Sequence, residues 1–315
     1  MNAIAVEEHF LIPEHHLAGG PPELLELGEA RLEAMEAAQI ATQVLLLNSP
    51  GIEGLQGTLA ISLAQRVNDT LAQLSEAYPG RYLGFAVLPL SDPEAALREL
   101  ERAAQLGLKG VLVNGHVQGR YLDAPELEPI LARIEELGLP LYLHPALPPP
   151  AVLETTYGGF PQALQLLFAG AGWGWHVETA AHLLRLILAG TLDRHPHLRI
   201  LVGHLGEGLP FMLPRLDRLL SPERTGLERP VSAYLREQVF YAISGFNFLP
   251  AFLNLLLEVG VERILFATDY PYGSMQEGRA FLDQLPLAPQ ERDKIAWHNA
   301  ARLFQLSANP SSQSA

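Results

Sequence analysis

Eight short apolar segments that alternate with helix-like segments constrain the fold of this chain more than any other feature of its sequence. The apolar segments are residues 3–9, 41–47, 82–89, 109–114, 139–144, 198–204, 238–243 and 264–269. Their runs of Val, Ile and Leu are typical of parallel strands that are buried on both faces. The alternation predicts an α/β fold, and specifically a (β/α)8 TIM barrel. A doubly wound open parallel sheet is the alternative.

The helix signals and the chain length favour one barrel domain over residues 1–306. Asp92-Pro93-Glu94, for example, places a proline in the first turn of a helix that we expect to stop at Gly107. Prolines and glycines are frequent between residues 145 and 177, where we expect a lid-like loop that walls a pocket. Residues 307–315 are expected to form a flexible tail.

Four of the predicted strands end in residues that can bind a metal ion. Strand one ends in Glu7-Glu8-His9, and alternate strand residues share a face, so Glu7 and His9 should point together while Glu8 points away. This triplet alone is weak support for a metal site, since carboxylates and histidines are common where a strand leaves the core. Three other segments end in His144, His204 and Asp269. Barrel active sites lie at the carboxyl ends of the strands, so the recurrence predicts one site there and favours the barrel.

The candidate ligands offer two imidazoles and two carboxylates, a set that suits Zn, Mn or Fe better than a soft metal or calcium. They are Glu7, His9, His144 and Asp269. His204 is a fifth candidate, either for the metal or for a bound substrate, and we favour the substrate. A bridged metal pair would need a carboxylated lysine at the end of strand four, but that strand starts at Lys109 and ends at Asn114. The sequence therefore predicts one divalent metal ion.

Composition excludes several other functions. The net charge of −14 and the scarcity of lysine argue against a nucleic-acid surface, which needs clustered cations. The chain has no cysteine, so disulfides, thiolate metal sites and a cysteine nucleophile are excluded. Its N-terminus has no signal-peptide pattern, and no apolar run approaches the roughly 20 residues of a membrane helix. We therefore expect a cytoplasmic protein that binds neither nucleic acid nor membranes.

The same strand ends carry a resemblance to a known family. The resemblance covers nearly the whole chain, through Glu7-Glu8-His9-Phe10, Leu143-His144-Pro145, Gly203-His204-Leu205-Gly206-Glu207-Gly208-Leu209-Pro210 and Ala267-Thr268-Asp269-Tyr270-Pro271. The chain resembles the amidohydrolase superfamily, and within it the aromatic acid decarboxylases such as γ-resorcylate and 5-carboxyvanillate decarboxylase. Most hydrolases of the superfamily carry His-x-His on strand one, whereas the decarboxylase branch often carries Glu-x-His, as here. The resemblance implies a barrel of the metal-dependent hydrolase type.

The resemblance also implies a role for each candidate residue. It implies one Zn or Mn ion on the four ligands, no organic cofactor, and a benzoate substrate with an ortho hydroxyl group. Asp269 would deliver a proton to the ring carbon that bears the carboxylate, and loss of CO2 would restore aromaticity. His204 would hydrogen-bond the substrate, and Glu207 would orient its imidazole. Arg215 and Tyr272 match substrate-contacting residues, and the arginine comes from the neighbouring subunit in some members. A homodimer or a dimer of dimers is expected.

Two alternative functions stay open. The first is a hydrolase, such as a lactonase or another amidohydrolase, in which the metal activates water and Asp269 is the general base. The second is a non-catalytic barrel that keeps its metal for stability or regulation. The chain also departs from the family pattern at residues 11–29, where the family has a longer excursion. That loop helps to wall the pocket, so the ring substituents of the substrate are not predicted.

Several other histidines are interpreted as structural. His182 lies on a helical face with Leu183, Leu186 and Ile187, where we expect a hydrogen-bonded core or lid histidine. The histidines in loops or at helix ends are expected to be solvated; they are His15, His16, His195 and His197.

Overall fold

The computed structural model describes residues 2–13 and 20–306, and within them eight parallel strands form one sheet. The strands are β1 Ala3–Phe10, β2 Ile40–Leu47, β3 Tyr82–Ala86, β4 Gly110–Asn114, β5 Leu141–His144, β6 Ile200–Val202, β7 Val239–Ala242 and β8 Ile264–Leu265. Each strand pairs with the next in the sequence, for example Asn114 with His144 at the carboxyl ends of β4 and β5. The predicted (β/α)8 barrel is confirmed. All eight strands share one sheet, which supports our proposal that the barrel is a single domain.

Helices connect the strands and pack against them. They are α1 Glu29–Ala37, α2 Gly57–Ala77, α3 Pro93–Gln105, α4 Glu128–Glu136, α5 Pro150–Val152, α6 Gln162–Ala169, α7 Gly174–Leu188, α8 Thr191–Arg194, α9 Leu209–Leu219, α10 Pro222–Thr225, α11 Val231–Glu237, α12 Leu249–Val259, α13 Met275–Gln284, α14 Pro289–Asp293 and α15 Asn299–Leu303. The predicted start of α3 is confirmed, because the Asp92 carboxylate accepts a hydrogen bond from the backbone N–H of Ala95 at 3.0 Å. Within the described part of the chain, no helix is both long enough and apolar enough to cross a membrane.

The seam between β8 and β1 is closed by main-chain bonds and by Glu8. β8 is shorter than predicted, but beyond it the N–H of Asp269 donates to the carbonyl of Glu7 at 3.0 Å, and Glu8 forms a parallel bridge with Tyr270. The buried carboxylate of Glu8 accepts from the N–H of Thr268 at 2.8 Å and from its hydroxyl at 2.6 Å. Burial raises the pKa of Glu8 to about 7. Glu8 therefore ties the first strand to the last, while its neighbours on either side supply the site.

The structure corrects two local expectations. Residues 145–177 are mostly helical rather than a loop, since they contain α5, α6, a π turn at Leu153–Tyr157 and the start of α7, with Pro149 and Pro161 at helix starts. His195 is buried rather than solvated, because its two ring nitrogens lie 3.0 Å from the carboxylates of Glu128 and Glu135 on α4. The predicted tail at 307–315, together with His15 and His16, lies outside the described residues.

Candidate active site

Four candidate donor atoms from distant parts of the chain lie close together where the carboxyl ends of the strands open the barrel. Glu7 Oε1 lies 3.3 Å from His144 Nε2 and 4.0 Å from His9 Nε2. His9 Nε2 lies 3.0 Å from Asp269 Oδ1. The structure thus brings together all four residues that the sequence nominated as ligands.

Only one of the two carboxylate oxygens of Glu7 accepts hydrogen bonds from the described residues. Its Oε2 accepts hydrogen bonds from the hydroxyls of Tyr142 and Ser244. Its Oε1 is fully buried and has no hydrogen-bond partner among the described residues. Burial alone would raise the pKa of Glu7, but the neighbouring imidazoles, that of His204 most of all, keep the pKa far below its ordinary value. A buried, ionised oxygen that faces imidazole nitrogens is a suitable place for a cation.

His144 is oriented by Asn114 at the end of the neighbouring strand. His144 Nδ1 lies 2.9 Å from Asn114 Oδ1, and the backbone N–H of Asn114 donates to Glu53 Oε1 at 2.7 Å. An amide oxygen can only accept, so His144 carries its proton on Nδ1 and presents the lone pair of Nε2 to Glu7. This is the arrangement that metal-binding histidines need.

The donors fit one metal ion. Ligands about 2.0–2.2 Å from a Zn or Mn centre lie roughly 3–4 Å from one another. The distances from His9 Nε2 to Asp269 Oδ1 and from Glu7 Oε1 to His144 and His9 span 3.0 to 4.0 Å, within that range. Glu7, His9 and His144 therefore fit a single divalent cation, and Asp269 lies beside them through its 3.0 Å contact with His9.

His204 lies beside these donors and is oriented by Glu207. Its Nε2 is 3.9 Å from Glu7 Oε1 and 4.0 Å from Asp269 Oδ2, while its Nδ1 is 2.9 Å from Glu207 Oε1. Burial lowers the pKa of His204, but Glu207, Glu7 and Asp269 outweigh it and raise the pKa to about 10. A cation on Glu7 and Asp269 would offset two of these carboxylates, so Glu207 is the one that acts on His204 in the loaded site.

The backbone that carries His204 and Glu207 forms a left-handed turn. Residues 204–208 all have positive φ, at 51°, 57°, 89°, 57° and 79°. Such a left-handed turn is unfavourable for residues other than glycine, by roughly 1–2 kcal/mol each. Strain of this kind is found most often at functional sites, and Gly206 and Gly208 relieve part of it.

Asp269 and Tyr272 form the accessible side of the site. The side chain of Asp269 is 20% exposed, against 0% for Glu7 and 1% for His9. Tyr272 is 55% exposed, its ring packs edge-on against His9 at 5.8 Å, and its hydroxyl donates to Asn48 Oδ1 at 2.9 Å. Asp269 is therefore the candidate ligand that a substrate can reach most readily.

Arg215 makes no bond to any of the candidate ligands. It lies on an exposed face of α9, where it makes no hydrogen bond or ion pair with any described residue. Its neighbours Phe211 and Met212 are 77% and 41% exposed.

Sequence reasoning missed four residues of the site. Tyr142 could have been found, because it lies two residues before His144 on β5 and therefore shares its face. Asn114 was noted at a strand end but was given no role. Ser244 and His176 follow no periodic pattern, and the structure places His176 Nδ1 2.5 Å from Glu207 Oε2.

Comparisons with known proteins agree with this geometry. Residues 41–306 match the Amidohydrolase family model. The chain is 38% identical to the γ-resorcylate decarboxylase of Rhizobium sp. (strain MTP-10005), over 96% of this chain and 98% of the relative. Among solved structures it is similar to 2,6-dihydroxybenzoate decarboxylase complexed with 2,6-dihydroxybenzoate, at 37% identity and a TM-score of 0.90, over 97% of this chain and 100% of the other. It is also similar to a dihydroxybenzoic acid decarboxylase from Polaromonas sp. JS666 with bound manganese and the inhibitor 2-nitroresorcinol, at 33% identity and a TM-score of 0.89, over 97% of each chain.

Proposed function

The chain belongs to the amidohydrolase family, and on that premise we propose that it is a metal-dependent, non-oxidative decarboxylase of an ortho-hydroxy aromatic acid. As an enzyme it is a carbon–carbon lyase that releases CO2. The observation that carries the proposal is the cluster of Glu7, His9 and His144, with Asp269 in contact with His9 and close to His204. The similarity to aromatic acid decarboxylases over nearly the whole chain supports this chemistry over hydrolysis.

We propose that Glu7, His9, His144 and Asp269 hold one Zn or Mn ion. When bound, the ion supplies a Lewis acid and a template for the carboxylate and the adjacent hydroxyl oxygen of the substrate. The fit of the donor distances and the open oxygen of Glu7 support a single ion. The manganese in the Polaromonas relative supports Mn as one of the two candidates. The proposed substrate class is that of 2,6-dihydroxybenzoate, the ligand bound in one of the similar solved structures.

Asp269 is proposed as the proton donor of the reaction. Its carboxyl group would transfer a proton to the ring carbon that bears the carboxylate, the carbon–carbon bond to that carboxylate would break, and its electron pair would return to the ring as CO2 leaves. The proton taken up comes from solvent, so the net reaction consumes one proton for each CO2. The partial exposure of Asp269, unusual among the candidate ligands, supports this role because it allows proton exchange.

His204 and Glu207 are proposed to hold the substrate for this transfer. His204 Nε2 faces both Asp269 and Glu7, so it lies within reach of a substrate oxygen placed between them. Glu207 fixes the opposite ring nitrogen. Tyr272 is proposed to cover the aromatic ring of the substrate at the mouth.

We propose that Arg215 completes the substrate site of a neighbouring subunit in a homodimer or a dimer of dimers. Its exposed position without an ion-pair partner in its own subunit supports this role. The apolar helices of residues 145–177 are proposed as the contact, because Leu167 is 65% exposed, Trp173 is 57% exposed, and Glu154 is the only Asp, Glu, Lys or Arg in the segment. In a chain of net charge −14, a second copy of such a face meets little like-charge repulsion. A lid role for the segment and a cytoplasmic location stay predictions.

Turnover of a benzoate panel tests the proposed function. The metal-loaded protein is incubated with 2,6-dihydroxybenzoate, other ortho-hydroxybenzoates and benzoate itself, and CO2 release and product formation are followed. We expect turnover only of the ortho-hydroxy acids, and loss of turnover in Asp269→Asn. Silence on the whole panel, combined with hydrolysis of lactones or amides, would replace the proposal with the hydrolase alternative.

Sedimentation tests the proposed assembly. Leu167→Glu should shift the protein from dimer to monomer at micromolar concentration. Leu257→Glu, at a leucine that is 85% exposed on α12, should leave the dimer intact. A dimer that survives Leu167→Glu would rule out the segment of residues 145–177 as the interface.

A further inference from the structure

His176 connects the helical segment of residues 145–177 to His204. It lies in the first turn of α7, and its Nδ1 is 2.5 Å from Glu207 Oε2. Its ring packs edge-on against the ring of His204, with centroids 4.7 Å apart. Neither contact involves any of the four candidate ligands.

Glu207 is shared between two imidazoles. Its Oε1 lies 2.9 Å from His204 Nδ1, and its Oε2 lies 2.5 Å from His176 Nδ1. The side chain of Glu207 is 0% exposed, so solvent does not replace a lost donor. A buried carboxylate that loses one of two hydrogen bonds either turns or takes up a proton. Each change alters the remaining hydrogen bond between Glu207 and His204.

The far nitrogen of His176 is fixed to the segment itself. Its Nε2 lies 3.1 Å from the indole N–H of Trp175 and 3.1 Å from the carbonyl oxygen of Ala171. Nδ1 then donates to Glu207, and Nε2 accepts from the indole N–H of Trp175. Each nitrogen thus has a separate partner, one in the segment and one in the active site.

We propose that His176 is a positioning residue, which fixes the Glu207 carboxylate and through it the orientation of His204. The start of α7 is thereby coupled to the reacting site, so that displacement of the segment at residues 171–176 loosens His204. The kinetic part of this inference rests on the proposed decarboxylase function.

Three substitutions distinguish the role of Nδ1 from that of Nε2. In His176→Asn the amide nitrogen takes the place of Nδ1 and keeps the bond to Glu207. In His176→Gln the amide takes the place of Nε2 and keeps the bond to Trp175 instead. His176→Leu has nearly the shape of the Asn variant but makes neither bond.

Steady-state kinetics of the metal-loaded variants give the first result. We expect His176→Leu and His176→Gln to lower kcat by about 10- to 100-fold with KM changed by less than about threefold, and His176→Asn to recover most of the loss. A wild-type kcat in the Leu variant, or an Asn variant as poor as Leu, would overturn the proposal. Thermal melting is measured for all three, and a kcat loss in the Leu variant that merely follows its unfolded fraction at assay temperature also counts against it.

An NMR measurement tests the coupling between His176 and His204 without depending on enzyme turnover. In the Zn-loaded protein with 15N-labelled histidine, the imidazole signals of His204 are assigned by their loss in His204→Gln. We expect the Nδ1–H signal of His204 to be unchanged in His176→Asn and shifted or exchange-broadened in His176→Leu. If wild type turns over no benzoate, the proposed function fails, but this comparison still supports or rejects the coupling. An unchanged His204 signal in the Leu variant rejects it.

Discussion

Single side chains orient two histidines of the site, His144 and His204. His144 is set by Asn114, whose Oδ1 accepts from Nδ1 at 2.9 Å, and His204 is set by Glu207. The orienting residue of His144 is neutral, whereas that of His204 is charged. A neutral partner suits a ligand that must keep a lone pair at Nε2, and a carboxylate suits a ring that works as a hydrogen-bond donor or proton carrier.

Asn114→Leu should weaken metal binding without removing any ligand. The variant deprives His144 Nδ1 of its acceptor, so the tautomer with the Nε2 lone pair loses its preference, and we expect affinity for Zn or Mn to fall by about 10- to 100-fold. Competition with a chelator of known affinity measures the change.

Asn114→Asp is the matched control, because it retains an acceptor at the same position. We expect it to bind metal at least as tightly as wild type. Equal affinities for the Leu and Asp variants would mean that Asn114 does not orient His144.

At the scale of elements, close packing between β6 and β1 positions Glu7. A Cβ atom on Gly203, directly after β6, would lie 2.5 Å from Glu7 Oε2. The hydroxyls of Tyr142 and Ser244 hold that oxygen in place, so the carboxylate cannot retreat without losing two hydrogen bonds.

Gly203→Ala should therefore displace a ligand by way of a strand end. We expect metal affinity to fall by about 10-fold or more, with a loss of stability of about 1–3 kcal/mol in the metal-free protein from overpacking. Titration calorimetry and thermal melting measure the two effects. Gly54→Ala is the control, since a Cβ there meets no atom within 4 Å, and it should match wild type in both. Normal metal binding by Gly203→Ala would show that Glu7 tolerates the shift.

The sequence predicted elements better than it predicted their ends. Apolar runs fixed the existence and order of the strands, and the period of two correctly put Glu7 and His9 together, because both signals come from burial on a regular backbone. It failed where the backbone is irregular. Asp269 lies four residues beyond β8 with φ of 60°, and residues 204–208 form a left-handed turn, a conformation that local propensity opposes. The link from His176 to Glu207 joins the first turn of α7 to this left-handed turn, and nothing in its spacing predicts it.

For the whole molecule, the buried His182 predicts how stability depends on pH. Burial lowers the pKa of His182 to about 4, and its Nε2 accepts from the backbone N–H of Leu122 at 3.0 Å, which requires a neutral ring. In the unfolded chain the same group titrates near its ordinary pKa of about 6.5. The unfolded state therefore binds more protons between those values, and stability falls as the pH drops from about 6.5 to about 4. The full effect is on the order of 3 kcal/mol.

His182→Gln should flatten this dependence, because glutamine can accept from Leu122 but does not titrate. The variant is expected to be less stable than wild type at pH 7.5, and the deficit should shrink at pH 5. Melting temperatures at the two pH values measure it. His197→Gln, at an exposed histidine, should follow wild type at both. A deficit of His182→Gln that does not change with pH would contradict the assignment.

Metal removal tests how far the site also holds the barrel together. The proposed ligands come from β1, β5 and the segment after β8, so a bound ion cross-links the first strand to the last. Without it, Glu7 keeps a buried, ionised oxygen that has no hydrogen-bond partner among the described residues. At a metal concentration about 100 times the Kd, binding adds about 2.7 kcal/mol, which corresponds to a rise of several degrees in melting temperature.

Glu7→Gln distinguishes the effect of the metal ion on stability from the effect of the buried Glu7 charge. The amide oxygen can still accept from Tyr142 and Ser244, but the buried charge is gone. We expect the metal-free variant to melt below metal-free wild type, because the imidazoles that lower the pKa of Glu7 stabilise its charge in the folded protein. We also expect it to gain little on addition of Zn or Mn. Melting curves of both proteins, after chelation and after metal is restored, measure the four values. If the variant melts above metal-free wild type, the burial of the Glu7 charge costs more than its imidazole neighbours return. If wild type then also gains nothing from metal, these four residues do not form a metal site.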